Sequence, residues 1–194
     1  MVHLLQIDTS LFYFINNTMQ NGLFDRIMPV ITDIDNWKIV IFIVWLALIV
    51  KGGKKGRIAA VLVIVVVVFS DMLIHQLIKP LVARARPCNV LPHVHLLVGC
   101  GGPDSYSFPS SHASNVFAAA SFFGYKYKRL VAIFLSIAVI VGYSRVYVGV
   151  HYPSDIIGGA VVGVICAGII LIIERKACLF IEKRKGRLTG YKSS

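Results

Sequence analysis

Four short stretches hold residue types that could together bind and transfer a phosphoryl group. Lys79 and Arg86 stand seven apart with Arg84 between them, and Pro109-Ser110-Ser111-His112 comes next. Ser144-Arg145 is followed by His151 and then, four residues on, by Asp155. Lys79, Arg86 and Arg145 supply fixed positive charge, and guanidinium groups grip tetrahedral oxyanions in bidentate fashion. A helix opening at Ser110 or Ser111 adds backbone N–H groups and a positive dipole end, a seat suited to an anion. Phosphoryl transfer asks mainly for such positioning and charge neutralisation, together with a nucleophile and a proton donor. His151 could be the nucleophile, because a carboxylate on one ring nitrogen fixes the tautomer and frees the other. His112 could protonate the leaving oxygen. Each feature also has a bland reading: a snorkelling anchor for Lys79, a helix cap for Ser110 or Ser111, a helix start for Pro153 to Asp155. His3, His75, His93 and His95 read simply as solvated, and Arg84, Asp104 and Tyr106 as loop residues near enough to tune head-group choice.

These residues need elements that bring them to one place. The apolar run Ile58 to Ile78 is a membrane span entered from the basic loop Lys51 to Arg57. Trp37 to Val50 is short at about 1.5 Å per residue against a hydrocarbon core of about 30 Å, so its helix starts nearer Pro29 or the bilayer thins there. Residues 79 to about 109 carry five prolines and three glycines, which predicts an ordered loop without helix. Ser111 to Tyr125, Leu130 to Val148 and Ile156 to Ile173 follow as helices. The small residues of Ser111 to Tyr125, and Gly158, Gly159, Gly163 and Gly168, offer close-packing surfaces. Near the N-terminus, Leu4, Ile7, Leu11, Phe14, Ile15 and Met19 form a stripe opposite Asp8, Asn16, Asn17 and Gln20, the pattern of a helix lying in the membrane surface.

Composition agrees. The 194 residues are 57% hydrophobic, too apolar for a soluble globule of this length. The formal net charge of +11 would suggest nucleic acid in a soluble protein. Here fourteen of the twenty Lys and Arg residues lie in Lys51 to Arg57, Lys126 to Arg129 and Arg175 to Lys192, each beside an apolar run. That asymmetry assigns these segments to the cytoplasm and all four chemical stretches to the opposite face, and it excludes nucleic acid as a partner. The start lacks the pattern of a removable signal peptide, so the chain is expected to be retained whole. The expected fold is an all-α integral membrane protein, a bundle of five to six transmembrane helices with an N-terminal interfacial helix. It reads as a single domain over 1–194: an amphipathic segment 1–33, a transmembrane core 34–175 and a basic tail 176–194. Cys88 and Cys100 share the outer loop, where an oxidising compartment would allow a disulfide; two free thiols is the alternative. Cys166 and Cys178 read as packing residues.

Taken as three motifs, the four stretches resemble the signatures of the type 2 phosphatidic acid phosphatase family, K-x6-RP, PSGH and SR-x5-H-x3-D. Lys79 to Arg86-Pro87 and Ser144-Arg145 to His151 and Asp155 match in full; in the second, Ser111 replaces the usual glycine and narrows backbone freedom there. The resemblance implies that Lys79, Arg86 and Arg145 bind phosphate with help from Ser110, Ser111 and the backbone after them. His112 would be the acid, His151 the nucleophile and Asp155 its orienting partner, with no metal or other cofactor. The vanadium-dependent haloperoxidases look similar at these motifs, but their scaffold is soluble. The implied partners are a phosphorylated lipid and the bilayer itself, in a bacterial cytoplasmic (inner) membrane with the site facing outward. The implied reaction is hydrolysis of a head group such as that of undecaprenyl diphosphate, phosphatidylglycerol phosphate or lipid A 1-phosphate through a phosphohistidine. A lipid phosphotransferase is the enzyme alternative, and an anion or lipid transporter the non-enzyme one.

Overall fold

A computed structural model describes residues 2–102 and 105–190, without the side chains of 185–190, Val2 and Leu4; Asp104 and the last four residues of the basic tail lie outside the described residues. Among the described residues the regular structure is all helical. The N-terminal segment forms α1 (Val2–Tyr13), prolonged by a wider turn to Thr18, and α2 (Gly22–Thr32), whose N-cap Asn21 accepts from the Phe24 N–H at 3.0 Å. Then come α3 (Lys38–Lys51), α4 (Gly53–Met72, carried on to Ile78 by a wider turn), α5 (Lys79–Val82), α6 (Pro87–Val90), α7 (Ser111–Lys126), α8 (Val131–Tyr147) and α9 (Pro153–Gly190).

Among the described residues, three segments are long and apolar enough to cross a bilayer by themselves: Gly53–Val90, Lys128–Tyr147 and Pro153–Arg184. The chain is thus an all-α membrane protein. The expected five to six crossings depend on α3 and α7, which at 14 and 16 residues are shorter than a full crossing requires. The α3 helix begins at Lys38 and not near Pro29, because α2 ends at Thr32 and a turn separates them. Its side chains include no buried residue, and Ile39, Phe42 and Ile43 point outward. Such a face is stable only against hydrocarbon.

Two segments differ from expectation. Lys51 to Arg57 is a tight corner between α3 and α4, not a loop: Gly53 takes φ +59° and the Arg57 side chain donates to the Ile49 carbonyl at 3.1 Å. The proline-rich stretch holds two single-turn helices, α5 and α6, each with proline in its first turn, where no amide donor is needed. The Cys88–Cys100 disulfide forms, with Cα atoms 6.1 Å apart, and pins α6 to that loop. Cys166 is buried as expected, but Cys178 is exposed.

The α7 helix is the centre of the bundle, lying most extensively on α9 and then on α8 and α4. The close approach depends on glycine. A Cβ on Gly159 would come within 2.5 Å of the Ser110 carbonyl, and one on Gly163 would strike the Ser114 carbonyl and reach 2.8 Å from the Ala118 nitrogen. Gly168 faces open space and has no such role. Gly163→Val is therefore expected to push α9 off α7 and cost roughly 1–3 kcal/mol by overpacking; thermal unfolding of the detergent-purified protein checks this, with Gly168→Val as the unaffected control.

The N-terminal helix keeps its apolar stripe outward, as an interfacial helix does, and docks its polar side on the bundle. Ile7, Leu11 and Phe14 are about half exposed, whereas Asp8, Phe12 and Asn16, at successive i,i+4 positions, are buried against the bundle. Asn16 is fully used: its amide donates to the His95 and Tyr147 carbonyls at 2.8 and 2.7 Å, and its oxygen accepts from the His95 N–H at 2.8 Å. The apolar stripe is left to face lipid.

Candidate active site

The site forms where helix ends converge. Lys79 stands at the end of the α4 run, Arg86 caps α6, Ser110 caps α7, Arg145 lies in the last turn of α8, and Asp155 in the first turn of α9. His151 sits in the turn between α8 and α9. Gly149 at φ +89° makes that turn possible: a Cβ there would lie 2.8 Å from Val94 and 3.0 Å from the His95 carbonyl. The Val150 N–H closes the turn on the Arg145 carbonyl at 3.2 Å.

All three cations are buried at 7 to 9% exposure. Burying them together is costly unless an anion compensates. Arg86 directs Nε to the Ser105 hydroxyl and carbonyl at 2.9 and 3.1 Å. Arg145 donates from Nη1 to the Thr32 hydroxyl at 2.7 Å, while its Nε is buried with no hydrogen-bond partner among the described residues. His112 and Arg145 open onto a cleft of about 390 Å³ whose opposite wall is the end of α2 and the turn after it, Pro29 to Asn36, with Val98 and Gly99 closing one side.

His151 is fully buried, and its Nδ1 lies 3.4 Å from both Asp155 Oδ2 and the Ser107 hydroxyl. Asp155 Oδ2 also accepts from the Tyr152 N–H at 2.8 Å and from the Ser107 hydroxyl. Burial pushes the His151 imidazole down to about 4, although the Asp155 carboxylate pulls the other way, so the ring is neutral near pH 7. The Ser110 hydroxyl accepts from the Ala113 N–H at 3.4 Å as a helix cap, and the Ser110 N–H donates to the Asp155 carbonyl at 3.0 Å, tying α7 to α9. The Ser111 hydroxyl is engaged 2.9 Å from His75 Nε2.

His75 and His95, expected to be merely solvated, have partners: His75 that of Ser111, His95 the Asp25 carboxylate at 3.0 Å. Sequence reasoning also missed Thr32, Ser107 and Asp8, and it gave Arg84 a loop role although its guanidinium binds Asp155. The one usable signal was Asp8, the single acid of the N-terminal amphipathic helix. Among the described residues no group of three or more His, Cys, Asp or Glu side chains is arranged to hold a metal ion.

Both the sequence and the fold resemble those of known proteins. The family model described as "PAP2 superfamily" matches residues 60–177. The lipid A 4'-phosphatase of Bacteroides thetaiotaomicron is 31% identical over 168 residues, covering 82% of this chain and 73% of that one. The crystal structure of Aquifex aeolicus LpxE superimposes with a TM-score of 0.72 at 26% identity, covering 85% of this chain and 94% of that one. A transmembrane PAP2-type phosphatidylglycerolphosphate phosphatase from Bacillus subtilis shares the fold, with a TM-score of 0.69 at 24% identity over 90% of this chain and 87% of that one.

Proposed function

This chain belongs to the PAP2 superfamily and is a membrane-embedded lipid phosphatase, and from that premise we propose that it hydrolyses its lipid phosphate through a phosphohistidine on His151 at the extracytoplasmic face. Lys79, Arg86 and Arg145 hold the phosphate oxygens, with the unpartnered Arg145 Nε and the amides that follow Ser110 completing the seat. His151 Nε2 attacks phosphorus while Asp155 keeps the proton on Nδ1. The P–O bond to the lipid breaks as His112 gives its proton to the departing oxygen. A water molecule, losing its proton to His112, then attacks the phosphohistidine, breaking the P–N bond and releasing inorganic phosphate.

One observation carries this reading: the Ser110 N–H on the Asp155 carbonyl and the Val150 N–H on the Arg145 carbonyl draw the helix ends bearing His112, Arg145 and the His151–Asp155 pair together, where Lys79, Arg86 and Arg145 are buried. The facing rests on charge: the basic corners Lys51 to Arg57 and Lys126 to Arg129 lie at the far ends of α4 and α7 from the site. A site at head-group depth suits a lipid whose tails stay in the bilayer. Lipid A bearing phosphates at positions 1 and 4', phosphatidylglycerol phosphate and undecaprenyl diphosphate are the substrates to test. Phosphate release from at least one, with release of free phosphate and not transfer to an added lipid acceptor, is the expected result. No release from any of them overturns the reading.

A further inference from the structure

Behind His151 and away from the cleft, one arginine lies between two carboxylates. Arg84 Nη1 donates to Asp155 Oδ1 at 2.8 Å and to the Ser154 hydroxyl at 2.7 Å, and its Nη2 donates to Asp8 Oδ2 at 2.7 Å. The guanidinium lies 3.8 Å above the Tyr152 ring, a stacked seat that fixes its plane. Asp8 also accepts the Ser154 N–H on Oδ1 at 2.8 Å and the Ser154 hydroxyl on Oδ2. The side chains of Arg84, Asp8 and Asp155 are 19, 9 and 0% exposed.

An arginine paired with Asp155 alone would neutralise it, and a neutralised carboxylate is a poor acceptor for the His151 Nδ1 proton. The second acid changes the sum: Asp8, Arg84 and Asp155 together carry a formal charge of −1. A tie between α1 and α9 alone would not require it, since a neutral amide oxygen at position 8 could still accept the Ser154 N–H, and burying an extra charge costs desolvation. We propose that Asp8 and Arg84 are positioning residues for His151: Arg84 fixes the Asp155 carboxylate, and Asp8 restores the negative charge that this contact removes. The Nδ1–H tautomer is thereby favoured and Nε2 left free as the nucleophile. The proposal rests on the assignment of His151 as nucleophile. It also makes α1, whose other face meets lipid, part of the catalytic support.

The test uses the full chain in lipid nanodiscs, with Asp8→Asn, Asp8→Glu and Arg84→Lys variants. Nitrogen-15 histidine spectra, with His151 identified by its loss in His151→Gln, read the tautomer without any lipid substrate; kcat and KM are measured on whichever test lipid the wild type hydrolyses. Asp8→Asn is expected to move His151 toward Nε2–H and to lower kcat about 10- to 100-fold with KM within twofold, by analogy with the loss on removing an outer partner of a metal-bound histidine. Asp8→Glu should keep the wild-type tautomer. Arg84→Lys, whose single ammonium cannot bridge both acids, should shift it and stands in should Asp8→Asn not fold. An unchanged tautomer in folded Asp8→Asn or Arg84→Lys, or a shift in Asp8→Glu equal to that in Asp8→Asn, overturns the proposal. If the wild type releases no phosphate from any lipid, the phosphatase mechanism falls, while the spectra still decide whether Asp8 governs His151.

Discussion

Replacing His151 by Ala is expected to lower phosphate release by roughly 10⁴-fold or more while leaving the protein folded, because without the nucleophile no covalent intermediate can form. The fold should survive for a local reason. The two polar contacts of Nδ1 are long, at 3.4 Å, and Asp155 Oδ2 keeps its shorter contacts to the Tyr152 N–H and the Ser107 hydroxyl when the ring is gone. No buried charge is orphaned, since the imidazole is neutral in the native protein. Phosphate assay and unfolding temperature on the same sample check both halves. Full activity in a folded His151→Ala protein would remove the mechanism.

The second large effect separates the two histidines. His112→Asn is expected to lose roughly 10²- to 10⁴-fold on a lipid phosphate, the range for removing a general acid whose leaving group is a poor one. An aryl phosphate, whose leaving oxygen needs no proton, should still phosphorylate His151. The water that completes the cycle would then lack its base. Rapid mixing should accordingly show a burst of aryl oxide followed by slow turnover, with acid-labile phosphate left on the protein. A loss of the burst equal to the loss on lipid would mean that His112 serves binding or packing and not proton transfer.

Much of the site was legible because helices alternate direction. Once Lys51 to Arg57 and Lys126 to Arg129 are set on one side, Lys79, Ser110, Arg145 and Asp155 must all fall at the other ends of their helices, and the structure brings them together there. The spacing of Lys79 from Arg86 and of Arg145 from His151 carries across a helix end and a tight turn, so short-range geometry is enough. The one-turn helices α5 and α6 were not legible, since proline interrupts a long helix yet is at home in the first turn of a short one.

From the sequence by itself followed the all-helical membrane fold, the residue types of the site and its position at one end of the bundle, because apolar runs, basic flanks and helix-end spacings are local signals. Only the tertiary structure decided that the polar side of α1 docks on the bundle and what pairs with Arg84, Arg145 and Ser111. In a bilayer an apolar face gains as much from lipid as from protein, so amphipathicity cannot say which side of α1 docks. The buried acid Asp8 finds its partner Arg84 far along the chain. No periodicity encodes such a pairing; it exists only once the helices have met.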